Sequence, residues 1–361
     1  MPERSDAEPA VGGRERLRLV QVLRAVAALM VVAHHATILL EERMRAPNSI
    51  WLGGTAGVDL FFVISGFVMM LTSARMGRGV RAGGRFFVRR LERVAPLYWI
   101  VTTVKLVTML LIPALAIHVL GTVWHVVASY LFVPSLGPTG TMEPLVVVGW
   151  TLNLEMMFYV LVALALLFRA PVVAVVGAAL VALTGLGFVS RLPSAVLHTW
   201  ASPIVLEFCF GMLLAKAMRA GRLPGRWGSG VLLGAGWFVL LATPWAMVSA
   251  WRALVWGIPA AAVLAGALGL ERTLGPRAPR WALEMGNASY SIYLSHGFVL
   301  PLVGVLLLRA ELHAAVLKSA AIALSLLLSA LVGELVYRAV ELPMMLRFGR
   351  WRSVRALRAA A

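Results

Sequence analysis

Residues 16–36 read R-L-R-L-V-Q-V-L-R-A-V-A-A-L-M-V-V-A-H-H-A. From Ala25 to Leu40 the only polar side chains are His34, His35 and Thr37. A stretch this apolar, near the ~20 residues that cross a hydrocarbon core, reads as a membrane-spanning helix. A bare anchor has no need of two adjacent histidines within its span. Ionisable groups inside a bilayer are costly and mark a site, a relay or a pathway.

The rest of the chain has the same character. Of its 361 residues 60% are hydrophobic and 14% charged, with mean hydropathy +0.86. A soluble domain averages roughly 45–50% apolar and about 25% charged. The sequence therefore predicts an all-α, polytopic membrane bundle. The formal charge of +17 does not point to nucleic acid. The arginines lie between the apolar runs, where topology and anionic lipid headgroups account for them, and an anionic cytosolic substrate is a further use for them. Cys209, the one cysteine, allows no internal disulfide and no cysteine metal site. Residues 1–14 are polar and read as a disordered cytoplasmic tail, not as a cleaved signal. Residues 15–343 read as the membrane domain and 344–361 as a basic cytoplasmic tail.

About ten spans of near-bilayer length are expected: 17–40, 55–74, 95–116, 150–168, 171–189, 200–218, 229–247, 252–270, 287–308 and 314–338. Placing both termini in the cytoplasm puts most of the 33 lysines and arginines on the inner side, as topology demands. The segment 118–134 fits this scheme as a re-entrant or interfacial helix. An eleventh span there would invert everything after it. Trp124 and Tyr130 suit an interface. The Pro/Gly-rich loop 134–149 is a candidate lid or acceptor-site loop.

Several polar residues do not belong in lipid. Arg24 and His35 lie within roughly 20° on one helix face and about 16 Å apart along the axis, whereas His34 is turned about 80° away. A ligand with a charged head and a long thin arm fits that stripe. Equally, the arginine snorkels to headgroups and the histidine bonds to a neighbouring helix. In G-V-D-L-F-F-V-I-S-G-F (57–67), Asp59 either orients His35 or holds a hydroxyl substrate, or is simply favoured near a helix N-terminus. Ser65-Gly66 reads as a close-packing step. In R-R-L-E-R-V-A-P-L-Y-W (89–99), Arg90 and Arg93 share a face. With Arg24 they make either a phosphate clamp or a basic helix on anionic lipid. Glu155, in G-W-T-L-N-L-E-M-M-F-Y (149–159), needs a partner from another helix or from substrate. Lys105, Glu207, His296 and Glu334 are further buried candidates, at least two of them expected to pair with each other. No metal motif, nucleotide loop or Ser/His/Asp elbow is present. A transporter has no support from internal repeats.

These stretches, with L-R-A-V-A-A-L-M-V-V-A-H-H (23–35), S-P-I-V-L-E-F-C-F-G-M (202–212) and A-S-Y-S-I-Y-L-S-H (288–296), resemble one family in order and membrane position. It is the integral-membrane acyltransferases of family 3, the O-antigen and exopolysaccharide O-acetylases. The likeness runs from about Arg16 to Pro343 and looks most like the exopolysaccharide-acetylating branch. It maps the family's Arg and the His eleven residues on to Arg24 and His35, with Ala25 where a glycine is usual. The R-x-x-R motif maps to Arg90 and Arg93, and W-[ST]-L-x-x-E to Trp150, Thr151, Leu152 and Glu155. No fused extracytoplasmic domain is expected.

The resemblance implies transfer of an acyl group, most often acetyl, from cytoplasmic acyl-CoA to a sugar hydroxyl on the far side of the cell (inner) membrane. Arg24, Arg90 and Arg93 are then expected to bind the CoA phosphates. His35 is expected to act as general base, either in direct transfer or through an acyl-histidine, with Glu155 and Asp59 orienting it or binding the acceptor. Acyl-CoA is a co-substrate, and no permanently bound cofactor or metal is implied. The partners are acyl-CoA, a carbohydrate or glycosylated acceptor and the bilayer, with a homodimer left open. A small natural product is the alternative acceptor.

Overall fold

A computed structural model describes residues 17–44, 50–111, 121–189, 194–243, 251–308 and 314–349. Among them there is no β-strand, and twelve α-helices form a membrane bundle. The expected tail at 1–14 lies outside the described residues. So do residues 350–361 of the C-terminal tail, while 342–349 continue as helix.

The first helix, α1 (Arg18–Met44), carries the opening stretch. It is followed by α2 (Ala56–Ser73), α3 (Val80–Leu111), α4 (Val123–Tyr130), α5 (Trp150–Leu167) and α6 (Val172–Val189). The second half holds α7 (Ala195–Trp200), α8 (Leu206–Arg219), α9 (Arg226–Ala242), α10 (Ile258–Leu274), α11 (Arg280–Leu308) and α12 (Ala314–Val336). Among the described residues eight helical stretches are long and apolar enough to cross a membrane. Two expected spans are shorter: α8 has 14 residues and α9 has 17. The juxtamembrane arginines of 81–93 are not a separate loop. They belong to α3, a single 32-residue helix with Pro96 inside it, which fixes Arg90 and Arg93 rigidly to the apolar part.

In lipid the helices gain little from burying apolar surface against one another, so small residues and polar contacts decide the packing. The seam between α2 and α8 shows this. A Cβ on Gly66 would meet the Phe208 carbonyl oxygen at 2.1 Å, and one on Gly211 would meet that of Val63 at 2.0 Å. Each glycine thus admits the other helix's backbone, which is the close-packing role expected of Ser65-Gly66. Beside the seam, Phe158 and Phe208 stack with centroids 4.3 Å apart. α1 packs on α11 and α2, α3 on α5, α9 on α10 and α11 on α12.

Two π-helical turns interrupt the regular helices, at Ala253–Gly257 before α10 and at Tyr337–Glu341 after α12. Such turns often sit at functional positions. The first begins just after Arg252 and the second ends on Glu341, and both residues prove to hold buried charges.

The connection between α3 and α5 is well tied in its described part. The described part of 118–134 is the eight-residue α4, capped by Thr122 and far too short to span a bilayer. The loop 134–149 is fastened to it. His125 Nε2 bonds to the Glu143 carbonyl at 2.8 Å, and the Leu145 amide donates to Ser129 Oγ at 3.0 Å. Leu145, Val146 and Val148 are buried, so the end of the loop nearest α5 is part of the core.

One expectation fails. Lys105, Glu207, His296 and Glu334 supply no pair among themselves. Glu334 accepts from Arg338 at 2.5 Å, Glu207 sits by Asp59 and Arg252, and His296 faces His35. Glu334, Glu207 and His296 thus each have a neighbour from outside this set of four.

Candidate active site

A cavity of about 160 Å³ opens between α1, α2, α3, α5 and α11. Arg24, Arg90 and Arg93 line it together with Glu155. Helical spacing had put two of these arginines on one face of α3 and the third on α1, and the fold brings all three to one chamber.

The arginines are held differently. Arg93 forms an ion pair with Glu341, whose second oxygen accepts from Ser291 Oγ at 2.5 Å. Its guanidinium lies 5.5 Å from the centre of the Tyr290 ring. Tyr290 is pinned in turn by its hydroxyl, which donates to the Val94 carbonyl at 2.7 Å. Arg90 reaches Thr72 Oγ1 at 3.5 Å and sits 5.9 Å from the Phe86 ring. Arg24 contacts Gln21 at 3.5 Å and is within electrostatic reach of Arg93, Glu341 and Glu155. Three guanidinium groups facing one space suit an anion with several oxygens.

Glu155 supplies the negative charge in the wall. One of its oxygens accepts from Tyr159 at 2.5 Å and from Ser65 at 2.8 Å. Bonds to an ionised group contribute about 1.5–3 kcal/mol each, enough to fix the carboxylate. The partner that Glu155 was expected to need comes from α2. Ser65 therefore does more than allow packing.

Tyr293 lines the same cavity and leads to the histidines. Its hydroxyl donates to the Val148 carbonyl at 3.0 Å and lies 3.0 Å from Thr151 Oγ1. Its ring is 6.1 Å from that of His296, which is 5.0 Å from that of His35, which is 5.1 Å from that of His34. His35 is thus the second ring beyond the cavity wall, with His296 between.

Each imidazole is oriented by a backbone carbonyl at Nδ1: Val31 at 2.9 Å for His35, Trp51 at 3.1 Å for His34 and Tyr293 at 2.7 Å for His296. A carbonyl only accepts, so in the neutral ring Nδ1 carries the proton and Nε2 keeps its lone pair. His34 and His296 are buried, whereas His35 is only partly so. Of the three, His35 is the one left partly accessible. His34 belongs to the frame: its bond to Trp51 is joined by one from the Trp51 amide to Thr37 at 2.9 Å.

Asp59 is held by an arginine. Arg252 takes both its oxygens, Nε to Oδ1 at 2.9 Å and Nη2 to Oδ2 at 2.8 Å. Asp59 is fully buried, and the Arg252 guanidinium also lies 5.4 Å from the Trp256 ring centre. A bidentate fork of this kind is a geometric lock between α2 and the segment before α10.

The all-helical membrane bundle thus holds a cation-lined chamber, with His296 and then His35 beyond its Tyr293 wall. Residues 19–337 match the family model described as "Acyltransferase domain", and the chain belongs to that acyltransferase family. It is 36% identical over 314 residues to "Exopolysaccharide production protein ExoZ" of Rhizobium meliloti (strain 1021), covering 84% of this chain and 93% of the relative. No solved structure matches the chain.

Proposed function

We propose that this acyltransferase moves an acyl group, most often acetyl, from cytoplasmic acyl-CoA to a hydroxyl of an exopolysaccharide or its lipid-linked precursor at the inner membrane. The observation that carries the reading is the pairing of one chamber lined by Arg24, Arg90 and Arg93 with His35 about 16 Å further along α1 on Arg24's face. The arginines take the phosphates of CoA. The slender pantetheine arm runs from the chamber past Tyr293 and delivers the thioester to His35. ExoZ, named for exopolysaccharide production, supports a polysaccharide acceptor.

His35 Nε2 removes the proton of the acceptor hydroxyl, as general bases of near-neutral pKa do. The hydroxyl oxygen attacks the thioester carbonyl carbon and forms the ester C–O bond. The C–S bond breaks, and the CoA thiolate takes the proton from the imidazolium, so charge and protons balance. Glu155 holds the middle of the path beside the acyl arm. Asp59, through Arg252, keeps the end of α2 in place near His34.

The test is acetyl transfer from labelled acetyl-CoA in membranes. His35→Ala is expected to lose about 100-fold or more, the span of a general base, and His34→Ala to retain activity in the folded fraction. Full activity in His35→Ala with a dead His34→Ala would reverse the assignment of the base.

A further inference from the structure

We propose that Glu341, steadied by Ser291, is a positioning residue that aims Arg93 into the donor site, so that the turn following the last helix is part of that site. The proposal rests on reading the chamber as the acyl-CoA phosphate site.

The geometry separates the two ends of the ion pair. Arg93 lines the cavity, and Glu341 and Ser291 do not. The Arg93 side chain keeps 24% of its surface accessible and that of Glu341 only 2%. The carboxylate therefore holds the guanidinium from behind, through Nη1. A guanidinium has five N–H donors in a fixed fork, so those not engaged by Glu341 remain for an anion in the chamber.

Both carboxylate oxygens are engaged, one by Arg93 and one by Ser291. Glu341 is thus fixed before any ligand arrives, and it has no face toward the cavity with which to touch one. Tyr290 supports the guanidinium's flat side and is itself tied to Val94. Glu341 and Ser291 behind and Tyr290 beneath leave the chamber as the open direction.

Electrostatics makes the carboxylate necessary. Arg24 and Arg93 repel each other across the cavity, in surroundings where charges are weakly screened. Without Glu341 that repulsion favours swinging Arg93 away from the chamber. With it, Arg93 stays in place at no cost in donors on the ligand side.

The experiment uses the full-length protein in nanodiscs, with steady-state kinetics against acetyl-CoA and a melting curve for each variant. Glu341→Gln is expected to raise KM for acetyl-CoA about 10-fold, the weight of one charge-assisted bond, with kcat changed less than about threefold and KM for the acceptor unmoved. Arg93→Ala should give a rise at least as large, and Glu341→Gln added to Arg93→Ala should add nothing. Ser291→Ala, which keeps every charge, should raise the same KM about threefold, and it serves if Glu341→Gln does not fold.

An unchanged KM in folded Glu341→Gln, or an effect additive with that of Arg93→Ala, overturns the positioning role and leaves the phosphate site standing. If Arg93→Ala itself leaves KM for acetyl-CoA unchanged, the phosphate-site reading fails, and the positioning role fails with it.

Discussion

The imidazoles of His35 and His296 meet across α1 and α11, with centroids 5.0 Å apart and planes tilted by 52°. Both rings commit Nδ1 to a carbonyl of their own helix. If His35 is the base, a neutral imidazole beside it would offer a dipole and a lone pair to the imidazolium formed there, in a setting where such groups act strongly. Replacing His296 with Phe keeps an aromatic ring and removes both. The expected result is a fall in kcat of about 10-fold with KM for acetyl-CoA unchanged, the signature of an interaction made only as charge develops. Equal effects on kcat and KM would assign His296 to packing.

Arg24 and Arg90 should behave as ligands of an anion. Changing either to Ala is expected to raise KM for acetyl-CoA about 10-fold or more, as loss of a charge-assisted bond does. Arg→Lys at either position should recover only part of this, because an ammonium lacks the planar fork. Binding measured by calorimetry with CoA alone checks the prediction without turnover.

The Asp59–Arg252 pair predicts an asymmetric stability series. Asp59→Asn removes the carboxylate that grips the Arg252 guanidinium and leaves the neighbouring Glu207 beside it; breaking a buried pair typically costs about 3–5 kcal/mol. Asp59→Leu combined with Arg252→Met removes both charges and should melt well above the single variant. Thermal unfolding in detergent distinguishes these outcomes. If Asp59→Asn melts like the parent but is inactive, Asp59 acts in catalysis, not in this lock.

Gly66 should tolerate no side chain. An added methyl meets the Phe208 carbonyl at 2.1 Å, and overpacking of this kind costs typically 1–3 kcal/mol. Gly177, in α6, has nothing within 4 Å of the added carbon. Gly177→Ala should be neutral or stabilising by up to about 1 kcal/mol. Comparing the yield and melting temperature of the two variants gives the result.

Much of this was readable from residue types. Long apolar runs dictate the bundle, and helix geometry puts Arg24 in line with His35 and Arg90 with Arg93. The partners were harder to find. Ser65 looked like a packing residue because a serine beside a glycine suits a tight seam, yet its hydroxyl holds Glu155 from 90 positions away. Asp59 looked close to the histidines because both lie toward one end of their helices. Its actual partner, Arg252, starts a segment after a connection whose path no local pattern encodes. Hydropathy reports which side chains are out of place in lipid. It does not report which of them meet.

The turn at Tyr337–Glu341 shows how strongly one such meeting depends on a count. Seven residues on from Glu334, an unbroken α-helix would return to nearly the same face, within about 20°. Instead Glu334 reaches a largely exposed Arg338, while Glu341 is buried against Arg93. The wider turn lodges one surplus residue in the helix. Deleting Ala339 or Val340 from that turn would remove no charge, no hydrogen-bonding side chain and no glycine. It would still carry Glu341 about 100° around the axis and leave Arg93 facing an apolar side chain. Length variation here would therefore alter the setting of Arg93 in the proposed donor site even where every polar residue is retained.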